Sequence, residues 1–171
     1  MGIDNAFDTK NGPDRDVLFN LLGFFYPVHY QVGMELERRI CGAKLSRQQA
    51  AIIWLIESEV GLYGWMRRKE IERILGDWFD ARNSRVTQML RELSSPPLDL
   101  VTQKSNPDSG REKLVALTSA GRRYFETMID NALEYFAEIL PHMSDEELRQ
   151  GMWFLAKAFG PPTLSSSGKN K

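Results

Sequence analysis

The chain of 171 residues is poor in cysteine and histidine, has no long apolar run, and carries almost no net charge. Each scarcity removes a class of protein. The single Cys41 cannot form an internal disulfide, and no basic, apolar and small-residue leader opens the sequence, so a reducing, cytoplasmic setting is expected. The longest apolar stretches, such as Ala50 to Ile56, fall far below the ~18 residues that span a bilayer, and no membrane partner is expected. His29 and His142 stand far apart, and no cluster of Cys, His and carboxylates has ligand spacing, so neither a metal nor a cofactor is expected. A glycine-rich phosphate loop and a nucleophile elbow are also missing, and Glu57, Glu59, Glu146 and Glu147 read as ordinary helix carboxylates. No catalytic residue, and no enzyme, is expected.

The chain is 42% hydrophobic, and at this length one core can form without disulfides. A net charge of −1 argues on its face against holding a polyanion by bulk electrostatics. Its distribution argues the other way: residues 1–66 carry −2, residues 67–123 carry +4, and residues 124–171 carry −3. The basic surplus sits in the middle third.

Residues 1–13 and 160–171 are rich in turn formers and small polar residues and read as flexible tails. From Asp14, apolar residues recur at helical spacing through Phe25 and again from Val28 to Ile40, with Pro27 between them. Either one kinked helix or two shorter ones is expected. Aromatics nearly surround Phe19 to Tyr26, more than one core face requires, which suggests burial against a second chain. Ser46 and Gln49 make a capping box opening a helix through Glu59. A second helix places Ile71, Ile74, Leu75, Trp78 and Phe79 on one face. Asp80 can cap a third, from Ala81 to about Leu93, with Val86, Leu90 and Leu93 inward and Arg82, Arg85, Gln88 and Arg91 on the other face. Ser94-Ser95-Pro96-Pro97 stops it.

The period then changes. Leu100 to Lys104 and Lys113 to Leu117 are strand candidates around the turn-rich Ser105 to Gly110. Thr118 caps a long helix ending near Pro141, and Ser144 with Glu147 opens a last one. The four tryptophans read mostly as core. Three helices, a hairpin with a basic loop and a long helix are the order of a winged helix-turn-helix, in which the third helix enters the major groove and the hairpin reaches the flanking backbone or minor groove. Arg67, Arg68 and Lys69 fall at the start of the second helix, Arg82, Arg85 and Arg91 on the third, and Lys104, Arg111 and Lys113 beside the loop.

Over about residues 15–159 the sequence resembles the MarR family of transcriptional regulators. The matching residues are Leu45-Ser46-Arg47-Gln48-Gln49, Glu70 to Gly76, Ser84-Arg85-Val86-Thr87 with Leu93, Asn106-Pro107-Asp108 with Arg111, Lys113-Leu114-Val115, and Leu117-Thr118 before Gly121. Asp77 to Asp80 add about one helical turn to the family pattern, and Ser95-Pro96-Pro97 replace its glycine after the recognition helix. The resemblance implies a mainly α (α+β) fold: a winged helix-turn-helix with N- and C-terminal dimerisation helices. Residues 14–44 and 122–159 would be the dimerisation helices and residues 45–121 the DNA-binding domain. It further implies a homodimer on double-stranded DNA, with Ser84, Arg85, Thr87 and Gln88 reading the major groove and Arg111 inserting from the wing. An Asp108–Arg111 pairing in the wing stays open. A small-molecule effector could be held by Tyr30, Trp54 and Trp65. Cys41 reads either as a redox sensor, as in some family members, or as a small buried hydrophobe.

The expected function is therefore a homodimeric, sequence-specific regulator, a repressor that occludes a promoter at a pseudo-palindromic operator. Two alternatives stand beside it: a winged-helix scaffold that binds protein through the same surface, and a regulator of a related winged-helix family with a different dimer arm.

Overall fold

A computed structural model describes residues 12–59 and 64–160. The two tails expected at residues 1–13 and 160–171 lie almost entirely outside the described residues. So does most of the break expected at Gly61 to Gly64. The described residues divide into two compact units between Glu37 and Arg38.

In the first unit, helix α1 spans Arg15–Gly23, opened by Asp14, whose Oδ1 accepts from the backbone N–H of Asp16 at 2.7 Å. The proline does not begin a second ordinary helix. Pro27–Gly33 forms a π-helical segment with the proline at its first position. Helix α2, Met34–Cys41, follows directly. None of α1 is buried: Phe19 and Leu22, and Phe24 at its C-terminal cap, are all largely exposed.

The second unit holds the core. Helix α3, Arg47–Glu59, opens on the expected capping box: Ser46 N–H donates to Gln49 Oε1 at 2.9 Å and Gln49 N–H to Ser46 Oγ at 3.2 Å. Strand β1 is the pair Met66–Arg67, α4 spans Arg68–Phe79, and α5 spans Asn83–Leu93. Strands β2, Val101–Asn106, and β3, Ser109–Leu117, make an antiparallel hairpin whose turn is only Pro107 and Asp108. Sheet order is β1-β3-β2. Helix α6 runs Ser119–Ile139 and α7 runs Asp145–Phe159.

Ile52, Ile53 and Ile56 of α3, Ile71 and Leu75 of α4, Val86, Met89 and Leu90 of α5, and Val115 of β3 are fully buried together. Each contributes about 1.5–3 kcal/mol relative to exposure. Two expectations need correction. Trp78 is 56% exposed and Trp153 64% exposed, so the tryptophans are not mostly core. Asp80 does not cap α5. It adopts a left-handed conformation (φ 51°, ψ 34°) as the C-terminal cap of α4, a state that aspartate tolerates better than most residues, and α5 starts two residues later than expected, after Arg82.

The Leu-Thr-x-x-Gly string has a physical cause. Thr118 Oγ1 accepts from Gly121 N–H at 3.0 Å and donates to the Asp99 carbonyl at 2.7 Å, pinning the first turn of α6 to the chain entering β2. A Cβ on residue 121 would lie 2.0 Å from the Leu100 carbonyl oxygen. Only glycine allows that approach. At the far end, α7 opens on the expected Ser144–Glu147 capping box, and none of its residues is buried.

Candidate nucleic-acid interface

Helix α5 separates its two faces cleanly. Val86, Met89, Leu90 and Leu93 face the core, while Arg82, Ser84, Arg85, Gln88 and Arg91 are exposed. Its C-terminal end is tied to the hairpin: Leu100 N–H donates to the Leu93 carbonyl at 2.7 Å, and Gln103 Nε2 donates to Ser94 Oγ at 3.1 Å. The three-residue spacing of Arg85, Gln88 and Arg91 sets these side chains along one ridge of the helix, with Arg82 at its N-terminal cap.

The hairpin carries the second basic group. Lys104 on β2 stands 3.9 Å above the Trp65 ring, a cation–π contact that fixes the ammonium over the start of β1. Lys113 Nζ donates to Ser105 Oγ across the ladder at 3.1 Å. Arg111 is exposed near the tip. Among the described residues no ion pair joins Asp108 to Arg111. Asn106 organises the tip instead: its Oδ1 accepts from Asp108 N–H at 3.1 Å, and its Nδ2 donates to Glu112 Oε2 at 2.8 Å. Glu112 also lies 3.8 Å from Arg67 Nε. Neither Asn106 as an anchor nor Glu112 was singled out from the sequence, although an Asn two residues before a turn aspartate is a recognisable signal for an Asx turn.

The run Arg67-Arg68-Lys69 does not act as one patch. Arg67 lies in β1 with 70% of its side chain exposed, and Lys69 is exposed. Arg68 is turned inward: its Nε donates to Glu72 Oε1 at 2.8 Å and its Nη2 to Thr87 Oγ1 on α5. Thr87 in turn donates to the Asn83 carbonyl at 2.8 Å. Both of these side chains are thus engaged within the protein. Arg73 on α4 bridges Glu70 at 2.6 Å and Asp77 at 3.1 Å, and its hydrogen bond holds the Glu70 carboxyl below the usual carboxylate range.

A further set of contacts lies beside the stripe. Gln49 Nε2 donates to Glu92 Oε2 at 2.8 Å, Gln88 Nε2 donates to Glu92 Oε1 at 2.8 Å, and Arg85 Nη1 donates to Gln88 Oε1 at 3.4 Å.

The residues expected to hold a small molecule have separate partners. Trp54 meets Phe125 edge-on at 5.5 Å, Trp65 carries Lys104, and Tyr30 packs with Tyr26 and His29 in the first unit. An open cavity of about 320 Å³ lies elsewhere, lined by Arg38, Arg39, Gly42, Ala43, Asn131 and Glu134. Cys41 is buried, and the Tyr124 hydroxyl donates to its backbone carbonyl at 3.0 Å; burial, and then the neighbouring cysteine, push the Tyr124 phenol up. No group of three or more His, Cys, Asp or Glu among the described residues could hold a metal, and none of the described helices is long and apolar enough to cross a membrane.

Residues 45–121 match the family model of a winged helix DNA-binding domain. This chain carries a winged helix domain. A search of curated protein sequences finds no match. Solved structures extend the likeness beyond the winged helix to the helices around it. The YusO protein from Bacillus subtilis is 19% identical with a TM-score of 0.60, covering 85% of this chain and 97% of that one. A mutant of MarR from E. coli is 17% identical with a TM-score of 0.60, covering 86% and 97%. A MepR mutant from S. aureus, solved bound to an oligodeoxyribonucleotide, is 16% identical with a TM-score of 0.53, covering 86% and 96%. The chain has the fold of the MarR-type regulators, with α5 as the third helix and the β2–β3 hairpin as the wing of its winged helix domain.

Proposed function

We propose that the protein is a homodimeric, sequence-specific DNA-binding transcriptional regulator, a repressor that occludes a promoter. The observation that carries this reading is the exposed row Arg85, Gln88 and Arg91 on α5 with Arg82 at its cap, beside a hairpin bearing Lys104, Arg111 and Lys113. The structure of MepR with an oligonucleotide supports it by likeness of fold. Arg67, Lys69, Lys104 and Lys113 contact phosphates; Ser84, Arg85 and Gln88 face the base edges; Arg82 and Arg91 flank them; Arg111 reaches from the wing. Arg68 and Thr87 enter this reading as a pair that positions the recognition helix.

Dimerisation is supported by the apolar residues that both ends leave in solvent. In α7, Met152, Trp153, Leu155 and Phe159 are all more than half exposed, as are Phe19 and Leu22 of α1 and Phe24 and Tyr26 just after it. Patches of this kind mark association surfaces. Residues 14–44 and 122–159 are the dimerisation helices of this reading, and two-fold symmetry sets half-sites about one helical turn apart, ~10 bp. The test is fluorescence-anisotropy titration of genomic fragments at several salt concentrations. Sequence-preferring binding that weakens steeply with salt is expected. Equal, weak binding of every duplex would overturn the reading.

A further inference from the structure

We propose that Glu92, held by Gln49 at the start of α3, is a positioning residue that sets base preference by turning the Gln88 amide so that Arg85 and Gln88 offer only hydrogen-bond donors to the groove, a pattern that selects guanine. This inference rests on the DNA-binding reading above.

The polarity of the chain of contacts is forced from its buried end. Gln49 is 8% exposed. The backbone N–H of Ser46 can only donate, so the Gln49 carbonyl must face it and the Gln49 amide NH2 must face Glu92. A carboxylate only accepts, so the Gln88 NH2 must face Glu92, which leaves the Gln88 carbonyl for the guanidinium of Arg85, a group that only donates. Reversing any one amide would set two donors or two acceptors against each other. The Gln88 carbonyl is thereby withdrawn from the groove, while its second amide hydrogen and the remaining N–H groups of Arg85 stay available.

A glutamine reads adenine by offering both halves of its amide, accepting from N6 and donating to N7. Gln88 cannot do so while Glu92 and Arg85 hold it. Guanine presents two acceptors, O6 and N7, to the same surface, whereas the amino groups of adenine and cytosine would meet another donor. Glu92 also sets a negative charge beside a face that meets phosphates. Its removal should therefore act in two opposite directions, loosening base choice and strengthening sequence-independent binding.

The experiment is selection from a random duplex library with the purified full-length protein, followed by anisotropy titration of the selected site and of a random duplex, for the wild type, Glu92→Ala and Glu92→Gln. The wild type should select guanine at one position of each half-site, and guanine-to-adenine replacement there should weaken it by about tenfold or more. In Glu92→Ala that ratio should fall to roughly two- or threefold at this position alone, with tighter binding of the random duplex. In Glu92→Gln one oxygen becomes an NH2 that would face the NH2 of Gln49 or of Gln88; Ser46 fixes the Gln49 amide, so the exposed Gln88 amide is the one that turns over or lets go, and the preference should fall likewise. It decides the matter if the alanine variant does not fold. Unaltered guanine preference in a folded variant overturns the role of Glu92 and leaves the DNA-binding reading intact, as does a loss of preference spread evenly over the site. Adenine selected by the wild type at this position overturns the donor-only assignment. A wild type that selects no sequence overturns both readings.

Discussion

Replacing Arg68 by alanine separates two roles that a basic side chain in this position can have. The guanidinium joins Glu72 on its own helix to Thr87 on α5. Its side chain is 28% exposed and that of Glu72 14% exposed, so water screens the contact only in part. Hydrogen bonds to charged groups contribute about 1.5–3 kcal/mol, and discounting for partial exposure leaves ~1–2 kcal/mol for the loss. For a chain of this size that is a fall in Tm of roughly 3–6 °C. Urea unfolding of Arg68→Ala, Thr87→Val and the double variant measures it, with a coupling between the two residues of about 0.5–1.5 kcal/mol expected. The second readout is the salt dependence of DNA binding. A lost phosphate contact would lower the slope of log K against log salt by ~0.9, whereas loss of a positioning contact leaves the slope in place and reduces preference for the specific site. An unchanged urea midpoint together with a reduced salt slope would refute the reasoning.

Three further outcomes follow from the packing and caps. Gly121→Ala drives a Cβ into the Leu100 carbonyl and should cost about 3 kcal/mol or more, read by urea unfolding; a midpoint close to wild type would show that the α6–β2 junction yields freely. Leu75→Ala should cost ~2–5 kcal/mol because Leu75 is fully buried, while Trp78→Ala, one turn away and mostly exposed, should cost less than about 1 kcal/mol, and equal losses by chemical denaturation would place Trp78 in the core after all. The Glu147 carboxyl is held below its ordinary value of 4.5 by the backbone N–H and then the hydroxyl of Ser144. A lowered folded value stabilises above the unfolded value and is lost as pH falls through the folded one. Ser144→Ala, which keeps the backbone bond, should lower the melting temperature at pH 7 and bring it closer to wild type at pH 3. The same deficit at both values by circular dichroism would contradict this.

The starts of α3, α6 and α7 were legible because their caps are bonds spanning three residues, set by the chain's own local geometry. Strand β1 was not, since Met66 and Arg67 have no period of their own and become a strand only because β3 offers them an edge. Asp80 suits either an N-cap or a left-handed turn, and sequence cannot say which helix claims it. Trp78 fits the helical spacing, yet the fully buried positions of α4 are Ile71 and Leu75. In α5, the three-residue spacing of Arg85, Gln88 and Arg91 already marked the exposed face. The commitments of Arg68 to Thr87 and of Gln49 to Glu92 join residues 19 and 43 positions apart, and no local pattern encodes such pairs.

The close approach at Gly121 also has a mechanical meaning. Helix α6 has 21 residues, a rod of about 30 Å, and its first turn is welded to the root of the hairpin with no hinge between. Such a rod is a lever with a fixed fulcrum. A tilt of about 5° at the glycine carries the far end of a helix this long by ~3 Å, and a push of that size at the far end returns to the sheet as the same small rotation, which the two-residue turn projects outward as movement of the wing tip.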